Sequence, residues 1–380
     1  MQFAVQAKDL GRVLDQARKV IEKRTTIPIL SHVLITTDQD KIRIAATDLD
    51  IMYEVTIPAT VTMAGSVTTP GQTLFDIVKR TPPDNEIKFS VQTERLQVRS
   101  GRSRFTLPCL PPQEFPSLPP IDSNQKFEIE AEKLRDLWRV SFAMSDNDAM
   151  YHLNGLFFHT VEDKLLAAAT DGTRLAVIEC QLPDGAEGIH SHENPNGVTL
   201  PSKTVEHLAN WIKAEEDGIF QIEASQTQIV FRTKNVRLAS KLLDNRFPDY
   251  QRAIPKDLNK FLTINRKSLI AALDRVCIVD GPTGRGMRFT LASDKMEISM
   301  SSNENGASDE ELEGTYEGES VSFGINGEFL IELLEAMDDD EISVGLTDPS
   351  HAIVVRGLKD NTLIETATFV QMPMRAPGNS

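Results

Sequence analysis

Residues 168–178 read AATDGTRLAVI, and residues 45–55 read AATDLDIMYEV, 123 positions earlier. Both open on the same AATD, turn, and continue in an apolar run, the pattern of two short strands joined by a tight turn. A catalytic motif is ordinarily written once, whereas a structural unit used more than once leaves echoes at a fixed period. The question is how far the echo extends.

It extends through the chain. FAVQAKDL (3–10), FEIEAEKL (127–134) and LTINRKSL (262–269) place apolar residues at offsets 0, 2 and 7, a strand running into a helical pattern. EIKFSV (86–91), GIFQIEA (218–224) and EISVGL (341–346) follow helix-like stretches and precede further β-rich pairs. These are RLQVRSG with SRFTLPCL, QIVFRT with VRLASKLL, and AIVVRG with TATFVQMPM. Three domains of about 120 residues therefore repeat one plan, each made of two strand–helix–strands units. AATDLDIMYEV and AATDGTRLAVI are the first and middle copies of one hairpin, and ISMSSNENG (298–306) is the drifted third. Proline marks the boundaries, in LPPQEFPSLPP (110–120) and DNRFPDYQRAIP (244–255), where restricted φ suits an extended connector. The expected domains are 1–121, 122–255 and 256–380, in the α+β class. No GxGxxG between strand and helix points to a dinucleotide fold.

Composition narrows the function classes. The 380 residues are 40% apolar, enough for several globular cores. Lys8, Asp9 and Arg12 break up any signal-peptide pattern, and no run of about 18 apolar residues could span a bilayer. Three distant cysteines, Cys109, Cys180 and Cys277, make neither a disulfide framework nor a cysteine metal site. A cytoplasmic protein is expected, with no membrane partner. The net charge of −16 is unevenly spread. Residues 1–121 hold 15 Lys/Arg against 13 Asp/Glu, 122–255 hold 14 against 21, and 256–380 hold 11 against 22. An acidic exterior repels stray polyanions without excluding a local basic face.

Such a face is visible on residues 9–24. Leu10, Val13, Leu14, Ala17, Val20 and Ile21 form an apolar stripe at helical spacing, with Arg12, Gln16, Lys19 and Lys23 nearly opposite. Two readings fit: a solvated helix face, or a face that meets phosphates without reading sequence. Arg135, Arg139, Lys203, Lys213, Arg266 and Arg275 add positive charge on other helices, while EFLIELLEAMDDD is acidic and pulls the other way. Catalytic signals are weak. Asp48/Asp50 and Asp146/Asp148 read as turn and cap residues before catalytic carboxylates. HSHENPNG (190–197) lacks a metal-ligand pattern, and GPTGRG (281–286) lacks the Lys-Ser/Thr of a phosphate loop. No enzyme, cofactor or metal is expected. Met372, Pro373 and Met374 on the last strand read either as core or as an adaptable binding surface.

RSGRSRFTLPCLPPQEFP (99–116), YHLNGLFF (151–158), AATDGTRLAV (168–177), SKLLDNRFPDY (240–250) and QMPMR (371–375) together resemble the bacterial DNA polymerase III beta subunit, the sliding-clamp family. The resemblance runs in order from Met1 to Arg375. It implies a DNA clamp fold of three tandem domains, paired head-to-tail into a closed ring, a homodimer around double-stranded DNA. The implied function is a processivity factor that tethers the polymerase III alpha subunit, the clamp loader and other proteins carrying clamp-binding motifs. A clamp-like peptide scaffold that does not encircle DNA is the alternative.

By the same resemblance, a peptide pocket uses Leu153, Thr170, Gly172, Thr173, Arg174, Leu175, Pro248, Arg252, Val370, Met372, Pro373, Met374 and Arg375, an apolar groove edged by arginines. Ala253, Gly284 and Gln371 depart from the larger apolar residues common there. Arg24, Asn147, Tyr151 and Lys203 are the implied DNA contacts, beside the stripe residues Arg12, Lys19 and Lys23. A second aromatic often follows Tyr151, and here His152 stands in its place. Phe105 and Leu107 would meet Ile278 and Val279 of a second chain, though all four also read as ordinary core residues.

Overall fold

The computed structural model describes residues 1–22, 25–123, 125–215, 218–279, 286–293, 295–302 and 304–374. Among them are six α-helices: α1 (Ala7–Val20), α2 (Gly71–Lys79), α3 (Ala131–Trp138), α4 (Ser202–Ala214), α5 (Arg266–Cys277) and α6 (Gly327–Glu335). Each begins on the residue after a strand. Strands Gln2–Gln6, Gln125–Glu130 and Lys260–Asn265 run into α1, α3 and α5. Strands Ser66–Pro70, Gly197–Pro201 and Val321–Asn326 run into α2, α4 and α6. The switch from period 2 to period 3.6 needs no loop, because the first-turn N–H groups can be met locally. Asn265 does this for α5 by accepting from Ser268 N at 3.1 Å, and Asn326 for α6 by accepting from Phe329 N at 3.2 Å.

The register repeats as faithfully as the sequence motif. Phe3 lies opposite Phe89, then Val98, then Phe105 on successive strands. Phe127, Ile222, Phe231 and Leu238 make the same rung in the middle repeat. Leu262, Val344, Val355 and Phe369 make it in the last. A one-residue slip would turn every one of these apolar side chains to the other face, so burial holds the register.

The chain packs as two compact units, Met1–Glu132 with Pro183–His192 and Glu206–Leu242, and Lys133–Leu182 with Glu193–Val205 and Leu243–Ser380. The first holds a five-stranded sheet and an eight-stranded sheet. In the eight-stranded sheet, strand Val236–Lys241, which closes the middle repeat, pairs with Ile51–Pro58 of the first, Leu238 opposite Tyr53. The second unit holds a ten-stranded and a four-stranded sheet. Here Ala367–Gln371, which closes the last repeat, pairs with Arg174–Gln181 of the middle one, Phe369 opposite Ala176. The strands that echo these partners in the remaining repeats are sheet edges: Ser103–Pro108 on the five-stranded sheet and Gly306–Glu311 on the four-stranded one.

The helices bury the faces their spacing predicts. Leu10, Val13, Leu14, Ala17 and Val20 of α1 are at most 4% exposed. The sequence pattern ran on to residue 24, whereas α1 stops at Val20 and Ile21 turns extended, with φ −63° and ψ 140°. The drifted third hairpin is formed by strands Met296–Ser302 and Gly306–Glu311. Phe369, 1% exposed, sits where two repeats share one sheet. Phe369→Ala should therefore cost about 3–5 kcal/mol of stability through transfer and cavity terms, read as a lowered urea midpoint of the transition that unfolds this sheet.

Candidate functional site

The AATD echo builds a specific turn. In the middle copy, Asp171 Oδ1 accepts from Thr173 N at 2.8 Å, Thr173 Oγ1 at 2.7 Å and Arg174 N at 2.7 Å. Thr170 Oγ1 donates to Arg174 O at 2.6 Å and accepts from Gly172 N at 3.1 Å. Gly172 has φ +87°, the left-handed region that favours glycine. The first copy repeats the scheme, with Asp48 Oδ1 accepting from Asp50 N at 3.0 Å and Ile51 N at 2.7 Å. Leu49 there occupies the left-handed position at φ 81°. These aspartates thus hold turns, and burial raises the Asp171 carboxyl less than its hydrogen bonds from Arg174 and Thr173 lower it.

Behind this turn lies an apolar floor. Leu175 and Val370 face each other across the sheet, each 3% exposed, in one cluster with Leu166, Phe247, Tyr250 and Val354. Its rim is open. Met372 and Met374 are 47% and 39% exposed, and Gly172, Thr173, Pro248 and Arg252 are exposed as well. Thr170 and Pro373 are half-buried, and Leu153 is buried. Two backbone bonds fix the rim strand: Met372 N donates to Thr173 O at 2.8 Å and Met374 N to Gly324 O at 2.9 Å. Arg252 pairs with Asp249 at 2.8 Å. Soft thioethers over a dry floor suit an extended peptide with apolar anchors. Arg375 and Gly284 lie outside the described residues.

Arg174 departs from the expected edge arginine. It is 7% exposed, its Nε donates to Asp171 Oδ2 at 2.9 Å, and its Nη1 to Glu332 Oε2 on α6. The guanidinium carbon lies 3.9 Å from the Phe329 ring centroid and 5.5 Å from that of Phe142. A planar, weakly hydrated cation suits such a slot between rings. Gln371 likewise faces inward: 1% exposed, its Nε2 donates to Asn326 O at 2.9 Å. Glu332 and Phe329 escaped the sequence reading, since a Glu on an acidic helix carries no signal of a partner 158 positions away.

The candidate phosphate contacts are separate features. On α1, Arg12 is exposed and Lys19 half-buried, while Lys23 and Arg24 lie outside the described residues. Tyr151 is 60% exposed and meets His152 edge-on at 6.1 Å. Asn147 caps a 3-10 turn by accepting from Ala149 N at 3.0 Å. Lys203 is exposed at the start of α4. Other basic residues of the sequence reading are engaged: Arg139 with Asp338 at 2.6 Å, Arg275 with Glu310, and Arg266 with the carbonyls of Leu334 and Asp339. Of the candidate chain–chain residues, Phe105 and Ile278 are 38% and 78% exposed, Val279 is half-buried, and Leu107 turns into the core at 6%. Among the described residues no three His, Cys, Asp or Glu side chains are grouped to hold a metal ion. No helix among them is long and apolar enough to cross a membrane.

Similarity to known proteins runs along the chain. Profiles of the DNA polymerase III beta subunit match in tandem, the N-terminal domain over residues 1–119, the central domain over 128–249 and the C-terminal domain over 251–375. The beta sliding clamp of Caulobacter vibrioides is 31% identical over 382 residues, covering 99% of this chain and 100% of the relative. That of Pseudomonas putida is 32% identical over 380 residues, with the same coverage. The crystal structure of the Bartonella birtlesii sliding clamp bound to griselimycin superposes with a TM-score of 0.92 at 33% identity, covering 99% of this chain and 100% of that one.

The groove floor rests on a titratable pair. His159, 4% exposed, has Nε2 2.8 Å from the Tyr250 hydroxyl, and burial lowers its pKa to about 4. The unfolded chain, near 6.5, therefore binds this proton more readily than the folded one. Stability from this group is complete above about pH 6.5 and falls as pH drops toward 4, by on the order of 3 kcal/mol at most. His159→Gln should flatten that part of the stability profile, read from denaturant midpoints between pH 4 and 7.

Proposed function

The chain belongs to the DNA polymerase III beta-subunit family, and on that premise we propose that it works as a sliding clamp: two copies close head-to-tail into a ring around double-stranded DNA. The chain is a processivity factor and not an enzyme, so its chemistry is binding and enclosure. The observation that carries the ring is the pair of unmatched sheet edges. Twice within the chain, a closing strand pairs with the fourth strand of the preceding repeat. The remaining closing strand, Ser103–Pro108, and the remaining fourth strand, Gly306–Glu311, are both edges. Heterologous pairing of these two between chains completes a cyclic, closed assembly.

The repeat also supplies the register. Phe105, Leu238 and Phe369 end equivalent rungs, and Tyr53, Ala176 and Ser308 stand opposite Ala46, Ala169 and Met300 in equivalent hairpins. Leu238 faces Tyr53 and Phe369 faces Ala176. Phe105 therefore faces the partner's Ser308, and Arg104 faces the partner's Asp309. Arg237 and Glu54, at the same two places within the chain, form an ion pair of 2.8 Å. Exposed Phe105 and Ile278 would be covered by this contact, with Val279 beside Ile278 and Leu107 supporting the strand from within.

DNA is held by enclosure, and Arg12, Lys19, Lys203, Asn147 and Tyr151, together with Lys23 and Arg24, supply weak contacts to phosphates and bases that permit sliding. The groove of Leu175, Val370 and the Met372–Met374 rim receives short linear motifs of the polymerase III alpha subunit, the clamp loader and other clamp-binding proteins. The domains divide at 1–121, 122–255 and 256–380, and the protein acts in the cytoplasm.

Loaded onto nicked circular duplex with clamp loader and ATP, the protein should stay bound, and a single cut in the circle should release it. Retention on the linear product would show that affinity, not topology, holds it. Failure to load while polymerase peptides still bind would favour a scaffold that does not encircle DNA. For the register, Arg104→Glu should raise the dimer dissociation constant by about 10- to 100-fold through like-charge repulsion. Adding Asp309→Arg should restore it; sedimentation showing an unchanged Arg104→Glu dimer would break the proposed register.

A further inference from the structure

The rim of the peptide groove is not self-supporting. Its turn, Thr170–Arg174, hangs on the Asp171 carboxylate, which receives Thr173 N, Thr173 Oγ1 and Arg174 N at 2.7–2.8 Å. The second oxygen of that carboxylate takes Arg174 Nε at 2.9 Å. Arg174 then runs between the rings of Phe142 and Phe329 and ends on Glu332 of α6. The opposite rim is tied to the same helix: Gln371 Nε2 donates to Asn326 O, and the Asn326 side chain caps α6. Met372 N, bonded to Thr173 O, joins the two rims. So both rims converge on α6, and half of that attachment is one carboxylate.

We propose that Glu332 is a positioning residue for peptide binding, acting through Arg174 and Asp171 to hold the Thr170–Arg174 turn where a peptide requires it. Its side chain is 51% exposed and lies on a helix rather than in the groove wall, so it need not touch the peptide. Arg174 is almost fully covered and, among the described residues, keeps only Asp171 as a charged partner when Glu332 is neutralised. A buried guanidinium with one partner removed shifts toward the other or toward water, and either movement carries the turn with it. The inference deepens the peptide-groove reading and rests on it.

The test uses the full-length dimer and a fluorescent peptide copied from the clamp-binding motif of the polymerase alpha subunit. Glu332→Gln, which keeps size and removes charge, should weaken peptide binding by about five- to twentyfold, the usual scale of coupling between neighbouring sites. Hydrogen exchange at the Thr173 and Arg174 amides should rise while exchange in the sheet strands stays as in the wild type. Glu332→Asp should recover part of the affinity. Unchanged affinity in Glu332→Gln, or faster exchange spread evenly over the whole fold, would overturn the proposal. Met372→Ala, measured alongside, separates this outcome from failure of the groove itself: wild-type affinity in Met372→Ala would mean the peptide binds elsewhere.

Discussion

Pairing between the closing strand of one repeat and the fourth strand of the repeat before it is the constraint on which the molecule depends. A sheet edge presents unpaired N–H and C=O groups, and proteins cover it or disguise it. Here the chain covers two such edges with its own strands, Val236–Lys241 against Ile51–Pro58 and Ala367–Gln371 against Arg174–Gln181. The register in both cases is held by large apolar residues, Leu238 and Phe369, that cannot be exposed by a slip without losing their burial. Three repeats supply three closing strands and three acceptors, so a linear chain necessarily leaves one of each. On the proposed pairing, dimerisation is thus implicit in the repeat. Their charges differ in kind: Arg102 and Arg104 stand at the closing edge, and Asp309, Glu310 and Glu311 at the acceptor. Opposite signs suit the proposed pairing of these edges and disfavour closing edge on closing edge.

The same pairing creates the groove. Leu175 and Val370 come from different repeats, and they make a floor only because their strands are neighbours. The rim inherits this dependence, since Thr173 O and Met372 N also belong to different repeats. The groove is therefore a property of a junction and not of either repeat alone. This explains why polar residues are spent inside it. An apolar core would hold two sheets together but would leave a turn such as Thr170–Arg174 free to choose among conformations. The directed bonds of Asp171, Arg174 and Gln371 select one.

Much of the fold was legible because it was written three times. Offsets 0, 2 and 7 in FAVQAKDL, FEIEAEKL and LTINRKSL located three strand–helix starts, and Phe3, Phe127 and Leu262 occupy equivalent rungs. AATD was legible as a turn, because Asp accepts from amides two and three residues ahead, a local matter. The resemblance carried the groove residues, yet it could not say which way they point. Arg174 reads as an edge arginine until Phe142, Phe329 and Glu332 are seen around it, and those contacts are long-range. Gln371 looks like a polar intrusion into an apolar wall until its amide is found on Asn326 O. Leu107 and Phe105, two residues apart on one strand, share a face yet differ in burial, because Ser103–Pro108 is an edge strand and alternation does not say how far the core covers each residue along it.

Charge shows the same gap between composition and structure. The acidic stretch EFLIELLEAMDDD, of which α6 takes only the part up to Glu335, argued against any polyanion nearby, but several of its carboxylates are committed. Glu332 binds Arg174, Asp338 binds Arg139 and Asp340 binds Lys267. Exposed pairs such as Asp340–Lys267 contribute little stability. What they change is the local field: a paired carboxylate presents a dipole rather than a charge, and its influence falls off within roughly a Debye length, about 8 Å in physiological salt. Arg139, Arg275 and Arg266, which the sequence offered as positive charge, are likewise engaged within the chain, so the proposed phosphate contacts are few. For a protein that must hold DNA and still move along it, few is the physical requirement. Each added phosphate contact multiplies affinity and steepens its salt dependence, whereas a closed ring retains DNA at no cost to sliding.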